Sequence, residues 1–244
     1  MNRKERASFI VVSFALLTTF LISLGVGKYT ITLGEVARIL LGGDVKALTR
    51  SVFLNLRLPR TLMALLAGAG LGLAGSVYQA IFRNPLASPD IVGISSGANL
   101  GAAVVIVLLG QSAATTTLGS FFGGLAAVGF VLLLVRATDS KSTSTYVLSG
   151  IIISAIAQAF IMLLKYYADS ESQLAAIEYW TMGSFASITS SKMMGILPYW
   201  ILGYVGTMLL HRQVGLLSLN DDESRALGVK VREVRLLVLA SSTL

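Results

Sequence analysis

The sequence predicts an all-α, polytopic membrane protein, and three observations carry that prediction. Hydrophobic residues make up 55% of the chain and charged residues 13%, which is more apolar surface than one water-soluble core can bury. The apolar residues fall in runs of about 17 to 25, the length that crosses a bilayer as helix, and not in the alternating segments of a barrel. Glycines recur at helical spacing, as at Gly68 and Gly72, at Gly93, Gly97 and Gly101, and at Gly119 and Gly123. Such stripes let helix backbones approach where lipid supplies no hydrophobic drive.

The first span runs from Ala7 to about Val26 behind Arg3, Lys4 and Arg6. It is longer than a signal-peptide core, no A-x-A site follows, and further spans come after it, so it reads as retained. An external loop over 27–57 comes next. Within it Thr32-Leu33-Gly34-Glu35 reads as a capping box, Val36, Ile39 and Leu40 as one apolar face, and Gly42-Gly43 as a stop. A short amphipathic helix on the outer surface is expected. Five more spans follow at Leu58 to Phe82, Ile91 to Leu109, Leu118 to Val135, Tyr146 to Tyr166 and Met193 to Leu210. A seventh begins near Val234 and meets the end of the sequence at Leu244. The reading is therefore one membrane domain over 1–244 with six full spans and the start of another, incomplete at its C-terminus.

Basic residues set the expected orientation. With the N-terminus in the cytoplasm, Arg83, Arg136, Lys141, Arg212, Arg225, Lys230, Arg232 and Arg235 join the N-terminal cluster inside, and the loop Gly110 to Thr117 outside is bare. The outer stretch from Lys28 to Arg60 nevertheless holds six basic residues. Headgroups and topology account for the net charge of +7, which removes the argument for nucleic acid. The chain has no cysteine, excluding disulfides and thiol chemistry, and its one histidine, His211, cannot build a metal cluster alone.

Two function classes are disfavoured by what the spans lack. Ion-coupled carriers and channels keep ionisable groups at membrane depth, whereas here Lys165, near an interface, is the main exception. An enzyme of the membrane interior would need a nucleophile with a base, a carboxylate pair or metal ligands, and none is visible. No phosphate-binding loop occurs either, since Gly27-Lys28 is followed by Tyr29. Uphill transport would draw its energy from another polypeptide.

Several local patterns carry chemistry. Arg57 and Arg60 stand three apart at an expected helix start with Pro59 in the first turn. Two cations there oppose the helix dipole, which an external acidic partner would offset. Within the inner loop 211–232, Asn220 as cap, Asp221, Asp222 and Glu223 in the first turn, and Gly228 as stop make a self-contained helix. Arg83 to Pro89 reads as a tight inner turn. Ser142, Thr143 and Ser144 put small hydroxyls at the head of the fifth span. Gln79, Ser154 and Gln158 are polar groups at depth, either interhelical bonds or pathway contacts. Tyr179, Trp180 and Met182 shape an outer cavity or, for the first two, an interfacial aromatic belt.

Leu56-Arg57-Leu58-Pro59-Arg60, then Arg83-Asn84-Pro85-Leu86-Ala87-Ser88-Pro89 and Gly93-Ile94-Ser95-Ser96-Gly97-Ala98, give the chain its resemblance to a known family. With Leu148-Ser149-Gly150, Tyr179 to Ser184 and Leu219 to Val229, it resembles the FecCD family, the permeases of type II ATP-binding-cassette (ABC) importers for iron-siderophore, haem and cobalamin. The resemblance implies a ten-span fold, of which this sequence holds the part above, in a bacterial cytoplasmic (inner) membrane. It implies a second permease subunit, identical or paralogous, two ABC ATPase subunits and an extracytoplasmic substrate-binding protein whose lobes offer glutamates to Arg57 and Arg60. It implies a coupling helix that seats in the ATPase, with apolar contact from Leu219, Ala226 and Leu227, polar contact from Asp221, Asp222, Glu223 and Arg225, and Gly228 closing the turn. Thr143 and Ser144 would form an inner gate. On this reading the chain is not an enzyme and binds no cofactor, ATP and Mg belonging to the ATPase. Its cargo is a metal chelate, iron(III)-siderophore first, with cobalamin, haem and oxyanions as alternatives.

Overall fold

The computed structural model describes residues 2–85, 87–138, 143–219 and 221–243, and among these the regular structure is entirely helical. The helices are α1 (Arg3–Gly25), α2 (Leu33–Leu40), α3 (Ala47–Val52), a π-helical turn over Phe53–Arg57, α4 (Leu58–Phe82), α5 (Ile94–Leu108), α6 (Ala113–Ala137), α7 (Thr143–Tyr167), α8 (Gln173–Met182), α9 (Ser190–Leu209), α10 (His211–Leu217), α11 (Asp221–Ala226) and α12 (Val231–Thr243). The chain forms two compact units, one of Met1–Gly68 with Phe185–Leu197 and one of Ala69–Ser184 with Pro198–Leu244.

Among the described residues, four helical stretches are long and apolar enough to cross a bilayer: Arg3–Gly25, Ala47–Phe82, Ala113–Ala137 and Ser144–Tyr167. The stretch Ser190–Leu209 passes only together with His211–Leu217, from which it is bent by 56°. The expected third span forms as α5 with 15 residues, short of the roughly 20 that a perpendicular crossing needs. Its start is set by Gly93, whose φ of 85° lies where an L side chain is strained, directly after the proline turn. The expected bare loop Gly110 to Thr117 is also shorter than read, because α6 already begins at Ala113.

In the first unit, α1 opens with a capping box in which Asn2 accepts from the Arg3 N–H at 2.7 Å and the Glu5 carboxylate accepts from the Asn2 N–H at 2.7 Å. Only Leu24 of α1 is buried, as expected for a helix apolar all round that faces lipid. The capping box of α2 forms as the sequence predicts, with Thr32 Oγ1 accepting from the Glu35 N–H at 3.2 Å and Glu35 accepting from the Thr32 N–H at 2.9 Å. These bonds from Thr32, the backbone one foremost, hold the Glu35 carboxyl below its ordinary pKa. Val36 and Ile39 pack into a core with Leu24, Ile31 and Phe53, while Leu40, expected on the same face, is exposed.

In the second unit α5 and α6 are the tightest pair. A Cβ on Gly101 would run into the Gly119 carbonyl, and one on Gly97 would meet Ala127 and the Gly123 carbonyl, so the backbones cross in contact as the stripe predicts. The stripe at Gly68 and Gly72 behaves differently. Nothing lies within 4 Å of a Cβ built at either position, and both glycines are exposed. The main core gathers Val77, Tyr78, Ile81 and Phe82 of α4 with Val128, Val131 and Val135 of α6, Leu217 of α10, and Val231, Val238 and Leu239 of α12. A smaller one joins Ala103, Ile106, Ile161 and Ile177, and α8 is tied to α7 by an ion pair of 2.8 Å between Lys165 and Glu178.

Candidate functional site

The arginine segment sits differently from the sequence expectation. Helix runs without interruption over Ala47–Phe82, 36 residues, so Arg57 and Arg60 lie inside a helix and not at its N-terminus. The dipole opposition expected there does not arise, because the nearby N–H groups already have acceptors in the preceding turns, as Leu58 does in the Phe53 carbonyl. The π turn over Phe53–Arg57 widens the backbone, and Ser190 Oγ donates to the Leu54 carbonyl at 2.6 Å, satisfying an acceptor at the turn.

The two guanidinium groups go to different loops. Arg57 donates from Nη1 to the carbonyls of Gly25 at 2.6 Å and Leu24 at 3.2 Å, and from Nη2 to that of Tyr29 at 2.6 Å. Leu24 and Gly25 end α1, where carbonyls are left without helical donors and a cation is favoured. Gly27 lies against the clamp, and a Cβ there would displace Arg57 Nη2 from its place. Arg60 donates from Nε to the Ile188 carbonyl at 3.2 Å and from Nη2 to the Ala186 carbonyl. Each arginine is thus half-buried and clamped by backbone oxygens of its own unit, and the two do not share a partner.

The inner loop is built as a seated helix with an outward face. Helix α11 spans Asp221–Ala226 and ends in a Schellman motif: the Val229 N–H donates to the Ser224 carbonyl at 3.0 Å and the Gly228 N–H to the Arg225 carbonyl at 2.9 Å. Gly228 has φ 81°, the conformation this stop demands. Asn220, the expected cap, lies outside the described residues, as does the Asp221 side chain. Three groups seat the helix: Leu217 before it and Val231 after it are in the main core, and fully buried Ser224 donates from Oγ to the Leu216 carbonyl at 2.8 Å. Leu219, Asp222, Glu223, Arg225, Ala226 and Leu227 are exposed, Leu227 by 60%. The pair Asp222 to Arg225 at 3.6 Å is solvent-facing and adds little stability.

Helix α4 ends in a second Schellman motif, with Arg83 at the left-handed position, φ 49°. The Arg83 N–H donates to the Ala80 carbonyl at 3.3 Å and the Asn84 N–H to the Gln79 carbonyl at 3.2 Å. A non-glycine residue there is strained, and its side chain is used, since Nη1 donates to the Leu219 carbonyl at 3.3 Å. The proline turn therefore touches the entry to α11. Neither that bond nor the Ser224 seat was foreseen; buried Ser224 in an otherwise charged helix was the available signal.

The expected pathway residues are more scattered. Gln79 and Gln158 are exposed on α4 and α7, and Ser154 is half-buried on α7, where its Oγ would stand 3.1 Å from a Cβ on Gly93. Ser144 is exposed in the first turn of α7; Ser142 and the Thr143 side chain lie outside the described residues. Met182 ends α8 and is 74% exposed. Tyr179 is exposed as well, whereas Trp180 packs against the core of Ile161 and Ile177, so these three residues do not line one surface.

Comparison with known proteins matches these elements to a family. The FecCD transport family matches residues 15–244. The chain is 36% identical over 93% of its length to the molybdate import system permease protein MolB of Haemophilus influenzae, covering 68% of that protein. It is 37% identical over 87% of its length to the ferric enterobactin transport system permease protein FepG of Escherichia coli, covering 64%. It thus spans about two thirds of the length of these relatives. A solved structure described as an inward-facing transporter of the metal-chelate ABC type matches with TM-score 0.78 and 33% identity, covering 96% of this chain and 70% of that one. The arginine segment, the proline turn and the seated α11 all fall within the matched residues, and the chain belongs to the FecCD transport family.

Proposed function

We propose that this chain is the membrane-spanning permease subunit of an ABC importer, and that it passes a metal chelate inward through a pathway shared with a second permease subunit. The observation that carries this reading is α11, a short helix locked to the core at Leu217, Ser224 and Val231 and presenting Leu219, Ala226 and Leu227 outward with Asp222, Glu223 and Arg225. Exposed apolar groups on a rigid seat suit a partner that must push the seat itself. The partner is an ATPase subunit in the cytoplasm, two per transporter, which supplies ATP and Mg. Asp221 and Gly228 complete the contact segment.

Arg57 and Arg60 are the docking residues for an extracytoplasmic binding protein. Their carbonyl clamps fix both guanidinium groups in advance, and carboxylates of the partner then compete for the same donors. Thr143 and Ser144 form the inner gate, with Gln79, Ser154, Gln158 and Met182 along the pathway. The N-terminus is cytoplasmic. Iron(III)-siderophore is the first cargo, in line with the enterobactin relative, and the molybdate relative favours an oxyanion as the second reading; haem and cobalamin remain in the same class.

The test is uptake into proteoliposomes carrying the full-length protein, its ATPase and its binding protein. ATP-dependent accumulation of a ferric siderophore supports the proposal. Accumulation driven by an ion gradient without the ATPase overturns it.

A further inference from the structure

The core face of α12 carries Val231, Val238 and Leu239, all buried, and between them, one turn after Val231, stands Arg235. A guanidinium on an apolar helix face needs a specific partner to offset its burial. One partner is Tyr146 of α7. Arg235 Nη1 donates to the Tyr146 hydroxyl at 3.0 Å, and its Cζ lies 5.4 Å from the centre of the same ring, within cation–π range. Tyr146 in turn packs on Phe82 at 5.1 Å between ring centres, and Phe82 precedes Arg83, which reaches the Leu219 carbonyl.

These contacts close a ring around α11. One end of the loop is held by Arg83 at Leu219, and the other continues through Gly228 into α12 and returns by Arg235 and Tyr146 to Phe82. Tyr146 stands two residues after Ser144, in the first turn of α7. Among the described contacts, the Arg235–Tyr146 pair is one by which displacement of α11 reaches the start of α7. We propose that Arg235 and Tyr146 are positioning residues that form a joint, passing the position of α11 to the inner end of α7. The inference rests on the reading of α11 as the contact for an ATPase.

Tyr146→Phe removes the hydroxyl and keeps the ring on Phe82; Arg235→Met removes the charge and keeps the length. In the full-length transporter with its ATPase, each is expected to lower cargo moved per ATP at least about fivefold, with assembly and basal ATP hydrolysis unchanged. The double variant should be no worse than Arg235→Met alone, because that replacement already removes both the hydroxyl bond and the ring contact. A second readout places a single thiol in a permease whose cysteines outside residues 1–244, if any, are replaced by serine: in a Ser144→Cys background, the nucleotide-dependent change in thiol labelling should disappear when either joint residue is replaced.

Leu227→Asp separates the two levels of inference. If Leu227→Asp uncouples transport while both joint variants transport and label as the parent does, the joint is wrong and the reading of α11 stands. If Leu227→Asp also leaves transport coupled, the reading of α11 is wrong and the joint goes with it. Multiplying losses in the double variant would likewise overturn a shared contact. Should Arg235→Met fail to assemble, Tyr146→Phe alone decides.

Discussion

The arginine segment of the first unit and α11 of the second are both conspicuous in the sequence, yet they use their polar groups in opposite ways. Arg57 and Arg60 turn their charge back on the unit that carries them, onto carbonyls of residues 24, 25, 29, 186 and 188. Helix α11 hides one hydroxyl, Ser224, and displays nearly everything else. The difference teaches that a cation in a loop-rich region is first an answer to unsatisfied carbonyls, and that partner contact must compete with that role. A helix whose seat comes from flanking core residues can leave an apolar side chain such as Leu227 exposed without loosening the seat.

The comparison breaks most sharply at Leu227. Leu227→Asp leaves the seat intact and spoils the display, so ATP-driven uptake should fall about 100-fold with normal protein yield; uptake near the parent level would show that α11 is a mere connector. In the other region Arg57→Gln removes a charged donor from three carbonyls. We expect about 2 kcal/mol lower stability of the purified protein, read as a lower unfolding temperature in detergent, before any docking effect; an unchanged temperature would mean the clamp contributes nothing. Arg60→Glu should act mainly on docking. Binding-protein affinity should drop about tenfold at low salt and less at high salt, and an unchanged affinity would remove Arg60 from the docking site.

The smallest effect belongs to the cap of α2. Thr32→Ala deletes one capping acceptor and should reduce local stability by about 1 kcal/mol, seen as faster amide exchange at Glu35 and Val36. Because bonds from Thr32 depress the Glu35 pKa, the cap's contribution is present above the ordinary carboxylate pKa and is lost as pH falls through the depressed value. In Thr32→Ala that loss should begin at higher pH, since only the backbone donor still holds the carboxylate.

What the sequence showed in advance was local. The capping box at Thr32 and Glu35, the extent of α4 to Phe82, and the glycine stop at Gly228 each depend on residues a few positions apart. Close backbone approach at Gly97, Gly101, Gly119 and Gly123 was legible as stripes, whereas the pairing of α5 with α6 appears only in the structure. The Arg57 clamp was not legible, since it depends on where α1 ends, some thirty residues away. The π turn was hidden for a different reason: Phe53 to Arg57 contains nothing that interrupts an ordinary helix, so α4 was read as starting at Leu58. The seat of α11 escaped because Leu217 and Val231 become core only once α10 and α12 pack against α4 and α6.

The central claim is that α11 faces a cytoplasmic ATPase. With any cysteine outside residues 1–244 replaced by serine, Leu227→Cys makes one labelling site in the permease, to be probed in oriented vesicles with a membrane-impermeant maleimide. Reaction only from the cytoplasmic side, and protection when the ATPase subunit is bound, is the predicted result. Labelling from the outer side, or equal labelling with and without the ATPase, would contradict the account.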